Sequence, residues 1–370
     1  MAFSSEARER SRPVYMRTQD GSLVDSEGKI IYFSIERFVR DIGEGNCCFI
    51  CGRSPSSVEF NDEHILPDWI LRDYALEGKS IHLPNGAAFE YSRYKIPCCE
   101  ECNAEMGRRF ENPISEIVKG GFDSLQTHIE RAGTTLLFVW MTLIFLKTHL
   151  RDKHFRFNLD RRQPPDPISG LYDWESLHHA HVVARSFYTR AVLTKEVFGS
   201  FIIWPVRSDM TYDNFDYFDL YEPRTVALRL GNIGLLAVLN DACAAINISE
   251  PLLDRLGNPL SEIQFRELMA RLAYVNLQLK SRPVFRSSLN ENGDYRIEAV
   301  LPTTCEIVHD KAKLGRIMSA VLGTFLPSIT PRHGDRDQFL SALNSGDATF
   351  LFDEHGKFSS APAERVPEAK

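Results

Sequence analysis

The chain has no excess of positive charge: 43 Lys and Arg face 50 Asp and Glu, a net charge of -7 over 370 residues. Binding of nucleic acid through whole-chain charge is thereby excluded, and any anion recognition is left to local groups. Long apolar runs are also missing. The most hydrophobic stretch, TTLLFVWMTLIFLKTHL at 134–150, is uninterrupted only from Leu136 to Leu146 with Thr142 inside, well short of the ~20 residues that span a bilayer. A helix buried on most faces is expected there. The opening residues, MAFSSEARERSRPVYMR, carry charges where an export signal needs an apolar core, so a cytoplasmic protein without a membrane partner is expected. No internal repeat occurs, and the only biased segment is a polar tail at 361–370, expected to be disordered.

What remains is an ordinary globular composition, 43% hydrophobic and 25% charged. At this length two domains with linking helices are expected. The segment DRRQPPDPISG at 160–170 holds Pro164, Pro165 and Pro167. It cannot continue a helix and marks a domain boundary. Beyond it SFIIWPV and TVALRLGNIGLLAVLND read as strands, the latter pair joined by a Gly-Asn turn. SEIQFRELMARLAYVNLQLKS opens with a Ser261-x-x-Gln264 capping box and reads as a long helix. PVFRSSLNENGDYRIEAVLP reads as a hairpin around Asn292-Gly293, and DKAKLGRIMSAVLGTFL as a further helix. The fold class is therefore α+β, with a C-terminal mixed domain at 164–360.

Eight cysteines would suit disulfides in a small secreted domain, but six lie in two tight clusters, CCFICG at 47–52 and CCEEC at 98–102. That arrangement favours metal over disulfides. The x-x spacing selects Cys48, Cys51, Cys99 and Cys102, whose four thiolates make a closed structural zinc site. Cys47 and Cys98 stay open as replacements for their neighbours. Cys243 and Cys305 read as core cysteines, and HHAH at 178–181 as a solvated polar segment. The two pairs stand over twice as far apart as in a simple zinc ribbon. The excursion between them carries Glu63-His64, and Asn103 follows the second pair directly.

CFICG, EHILP and CEECN in this order resemble the HNH endonucleases of the zinc-stabilised ββα-metal, treble-clef type. The extended form CEECNAEMGRRFENPI is similar to bacterial HNH proteins that continue into a long apolar helix. The resemblance covers about residues 45–150 and implies an HNH module at 41–125, preceded by an arm at 1–40 and followed by a helical connector at 126–163. It implies that His64 is the general base and that Glu63 and Asn103 hold Mg²⁺ or Mn²⁺ through oxygen, ligand types that suit a hard cation. Asn85 is the nearest counterpart of the family's middle asparagine. Glu111 reads either as a helix-terminal salt-bridging carboxylate or as a metal ligand or support for the metal ligands, since eight α-helical residues would set it about 80° around from Asn103. Arg93, Lys95, Arg108 and Arg109, near the second cysteine pair, are candidate phosphate contacts.

Between Cys47 and Pro113 eleven acidic residues face seven basic ones. Weak unaided affinity for nucleic acid is expected, with DNA favoured over RNA and a protein partner or signal acting on the C-terminal domain. A bacterial antiviral defence role is the analogy that follows. The alternative is a zinc-binding subunit that binds nucleic acid or scaffolds a complex without cutting. Oligomeric state is not legible.

Overall fold

The computed structural model describes residues 14–207, 214–323, 325–326, 329–330, 335–360 and 364–365. The tail expected at 361–370 lies outside them except for 364–365, as do residues 1–13 of the expected arm.

The arm contains a small antiparallel meander, β1 (Tyr15–Arg17), β2 (Leu23–Asp25) and β3 (Ile30–Tyr32). It leads into α1 (Ile35–Phe38), capped by the Ser34 hydroxyl, which accepts from the Arg37 amide. The cysteine region follows: β4 (Phe60–His64), α2 (Asp68–Asp73), the hairpin β5 (Ser80–His82) and β6 (Ala88–Glu90), then β7 (Lys95–Cys99) and α3 (Glu100–Met106). β4 and β7 pair antiparallel, with Glu63 opposite Ile96 and His64 opposite Lys95. A π-helical turn at Gly107–Glu111 joins α3 to α4 (Asn112–Lys119), and α5 (Gly121–Ala132) and α6 (Thr135–Arg151) complete the helical run.

After the proline-rich stretch come α7 (His178–Ala184), α8 (Ser186–Thr189) and β8 (Val192–Leu193). A five-stranded sheet follows, built from β9 (Ser200–Arg207), β10 (Phe215–Leu220), β11 (Thr225–Leu230), β12 (Ile233–Val238) and, beyond α9 (Ala244–Leu253), β13 (Leu260–Ser261). The strand order is β10-β11-β12-β9-β13, antiparallel except for β13 against β9. α10 (Glu262–Leu277) starts at the expected capping box, the β14 (Val284–Leu289) and β15 (Tyr295–Val300) hairpin turns at Asn292-Gly293, and α11 (Lys311–Leu322) and α12 (Arg336–Ser345) follow. The protein is mixed α+β, as expected.

β11 and β12 are apolar at nearly every position because both sheet faces are covered. Leu235 and Ala237 of β12 enter one core with Ile50, Ile65, Ile96 and Leu146, whereas Leu236 and Val238 enter a second with Leu268, Met318 and Leu343. The first core thus draws side chains from both sides of the proline-rich stretch. At its centre lies α6, sealed from Leu137 to Leu150 and packed on β7, α7, β11 and β12. Among the described residues no single helix is long and apolar enough to cross a membrane.

A charged cluster fastens α6 to β10. His149 Nε2 lies 3.2 Å from Asp219 Oδ2 and its Nδ1 lies 3.7 Å from Asp152 Oδ2, which also accepts from the Tyr172 hydroxyl. Burial alone would lower the imidazole, but the two carboxylates outweigh it and raise its pKa to about 9. A folded-state value above the unfolded one stabilises fully below the unfolded value of 6.5, and that contribution is lost as pH rises through about 9. The shift corresponds to about 3 kcal/mol. Urea unfolding of wild type and His149→Asn from pH 6 to 10 should therefore converge in stability at the alkaline end. Comparison with the variant is needed because Lys153, lowered to about 8 by burial, contributes with the opposite sign.

Candidate metal centre and the adjoining carboxylate site

The four Sγ atoms of Cys48, Cys51, Cys99 and Cys102 lie within 4.8 Å of one another and all four residues are buried. Tetrahedral ligation at about 2.3 Å sets sulfurs about 3.8 Å apart. The Cys51–Cys99 separation of 3.6 Å fits that edge. These four cysteines can hold a metal such as zinc. Cys47 stands outside the group, and Cys98, 3.7 Å from Cys48, borders it from β7.

Local backbone makes the cluster. The Cys48 amide donates to the Arg53 carbonyl and the Gly52 amide to the Cys48 carbonyl, closing a tight turn. Gly52 needs φ +79°, and a Cβ there would strike Phe33 at 2.5 Å. Cys99 ends β7 and caps α3, while Cys102 sits in the first helical turn. Hydrogen bonds from the Cys102 and Cys48 thiols, then from Arg53, lower the Cys51 thiol pKa. The Arg53 guanidinium donates to Cys51 Sγ at 3.3 Å and to Cys99 Sγ at 3.8 Å.

A second cation lies behind the turn. Arg185, fully buried at the end of α7, donates to the carbonyls of Ile30, Ile31 and Ile50. His181 Nε2 donates to the Phe49 carbonyl at 2.9 Å and His178 Nε2 to that of Phe33 at 2.8 Å. The HHAH segment is therefore packed, not a solvated stretch, and His181, its buried histidine, anchors the cysteine turn at the Phe49 carbonyl. Cys305 likewise departs from expectation, being exposed, and Cys243 is only partly buried.

Along β4 side chains alternate, so Asn61 and Glu63 share one face and His64 takes the other with its cross-strand neighbour Lys95. The Asn103 amide donates to Asn61 Oδ1 at 2.7 Å, which turns α3 toward the Glu63 face and leaves the Asn103 carbonyl oxygen as its free end. Glu63, 5% exposed, accepts at Oε1 from the Lys147 ammonium at 2.7 Å. Its Oε2 carries no hydrogen bond among the described residues. Lys147 also donates to the His64 carbonyl at 2.7 Å. Burial, then Lys95, lowers the His64 pKa below 6.5.

The π-helical turn changes the expected angle of Glu111. It takes up one extra residue, so eight residues advance the helix as seven would, and Glu111 returns to within about 20° of Asn103. Burial pushes its carboxyl up to about 7, with Lys147 opposing and Glu63 and Asp68 adding. Asn85 belongs to the β5–β6 turn, where its side chain accepts from the Ala87 amide and donates to the Arg156 carbonyl at 2.7 Å. Its role there is to tie the loop down. Arg93 is exposed over the Phe89 ring, and Lys95 is partly buried beside His64. Arg108 and Arg109 are both exposed and both paired with Glu105.

Lys147, Asn61, Asp68, Arg53 and Arg185 were not singled out from the sequence. Lys147 had a readable signal: a lysine that closes an apolar helical run needs a buried partner. Comparison with protein-family models, curated proteins and solved structures finds no match to this chain.

Proposed function

We propose that the protein is a metal-dependent HNH-type endonuclease that hydrolyses phosphodiester bonds of nucleic acid, DNA favoured over RNA, with structural zinc on its four cysteines. One observation carries the reading: the strand bearing Glu63-His64 and the helix bearing Asn103 meet beside the thiolate cluster. His64, neutral at pH 7, is the last residue of β4 and leaves the strand on the face opposite Glu63; it would take the proton from the attacking water by reaching round the strand end. Glu63 Oε2 and the Asn103 carbonyl oxygen are the donors that would hold Mg²⁺ or Mn²⁺, with Glu111 near Glu63. When bound, such an ion supplies charge neutralisation at the scissile phosphate and the leaving oxygen.

Arg108 and Arg109 can exchange Glu105 for phosphate at little cost, since exposed ion pairs contribute only ~0–1 kcal/mol. The acidic surroundings keep unaided affinity low and fit control by a partner or signal acting through the C-terminal sheet, as in a cytoplasmic defence effector.

The test is supercoiled plasmid, linear DNA and RNA incubated with purified protein and Mg²⁺ or Mn²⁺. Nicking that needs the divalent ion is expected, with an acid limb below the ordinary histidine value of 6.5. Zinc-loaded protein that binds plasmid without cutting it under any of these conditions would favour the noncatalytic binding or scaffold reading.

A further inference from the structure

The Lys147 side chain is 4% exposed, within a helix buried from Leu137 to Leu150. A buried ammonium costs several kcal/mol unless it is paired and hydrogen-bonded. Its two contacts, both 2.7 Å, go to the side chain of Glu63 and to the main chain of His64. Its ammonium carries three N–H donors, so further acceptors beside the carboxylate are needed, and the chain supplies one from the next residue of the same strand. Lys147 thus grips two successive residues of β4 where the strand ends, and Glu111 lies in its field.

The following helix positions fasten the other way. The Thr148 hydroxyl bonds the Tyr217 hydroxyl at 2.6 Å, and His149 faces Asp219, both on β10. Three consecutive residues, about 100° apart around the helix, therefore rivet the Glu63-His64 strand end to the C-terminal sheet.

We propose that Lys147 is the positioning residue of the Glu63-His64 pair: it holds Glu63 so that only Oε2 is offered to a divalent cation, and it fixes the His64 main chain from a helix anchored on β10. This rests on the nuclease reading. Positioning of this kind works against cation affinity, because the ammonium occupies Oε1 and adds a like charge beside the ion. Its removal frees both oxygens for a bidentate grip and releases the strand end.

The zinc-loaded full chain is compared as wild type, Lys147→Met and Lys147→Gln, with zinc content and melting as checks of folding. The expected signature is opposed: plasmid nicking slower by about 10- to 100-fold, with half-saturating Mn²⁺ lower by on the order of tenfold. A loss of folded fraction slows cutting but leaves half-saturation where it was. The proposal is overturned if either folded variant cuts at the wild-type rate, or if half-saturation stays or rises. Should wild type itself fail to cut, the nuclease reading falls, and calorimetric Mn²⁺ binding to the three proteins still decides: tighter binding in the variants supports the grip on Glu63, equal or weaker binding refutes it.

Discussion

On the nuclease reading proposed above, a His64→Ala protein is expected to fold, keep any zinc held by the four clustered cysteines and lose about 10²- to 10⁴-fold in cutting rate, the span that removal of a general base produces. The geometry makes this a clean test. Lys147 holds the main-chain carbonyl of His64, not its ring, so the anchor at the strand end survives truncation of the imidazole. None of the four clustered cysteines is touched. The half-buried ring leaves a space open at its Lys95 side, which limits the structural cost. Quantitative nicking at fixed Mn²⁺, with zinc content measured on the same sample, gives the answer. A folded, zinc-loaded variant that nicks at the wild-type rate would remove His64 from the chemistry.

Cys99→Ser should have the largest effect on the fold. Binding of structural zinc to a four-thiolate site carries an apparent free energy of about 10–16 kcal/mol, as large as the whole stability of most domains, about 5–15 kcal/mol. Cys99 is also the joint between β7 and α3, so its loss frees the strand and the helix together. The damage should not stop at the cysteine region, since Arg185 and His181 of the α7 segment depend on carbonyls at Ile50 and Phe49. Near-ultraviolet circular dichroism and zinc release by a chelator should report loss of tertiary structure across the chain. Cys98→Ser and Cys47→Ser are the controls: both lie outside the cluster, and both should retain zinc. If Cys98→Ser loses zinc and Cys99→Ser keeps it, the ligand assignment is wrong by one residue.

Regular elements of the C-terminal part were legible because each carried a local signature. Ser261 with Gln264, Asn292 with Gly293, and the period-free apolar runs of β11 and β12 each encode a cap, a turn or a doubly covered strand within a few residues. The cysteine spacing likewise revealed the four-thiol cluster, which can hold a metal. The angle of Glu111 was not legible, because an α-helix and a π-helical turn share one composition and differ by a single inserted residue. HHAH misled for a different reason: its histidines are buried by carbonyls over a hundred residues away, at Phe33 and Phe49. Lys147 is legible only in part: its place at the end of an apolar run signals a buried partner but not which one. A buried charge is defined by its partner, and nothing in the neighbouring residues of α6 points to Glu63.

Because α6 is covered by β7 on one side and by β11 and β12 on another, the two halves of this chain cannot be traded separately. A fragment ending before Gln163 would carry the six clustered cysteines, Glu63, His64 and Asn103, yet leave Phe138 without Phe198 and Phe201, and Thr148 without Tyr217. Such a piece should aggregate instead of cutting freely. A recombination point at the proline-rich stretch would therefore be tolerated only where the incoming half brought its own match for α6, which makes the whole chain the expected unit of inheritance.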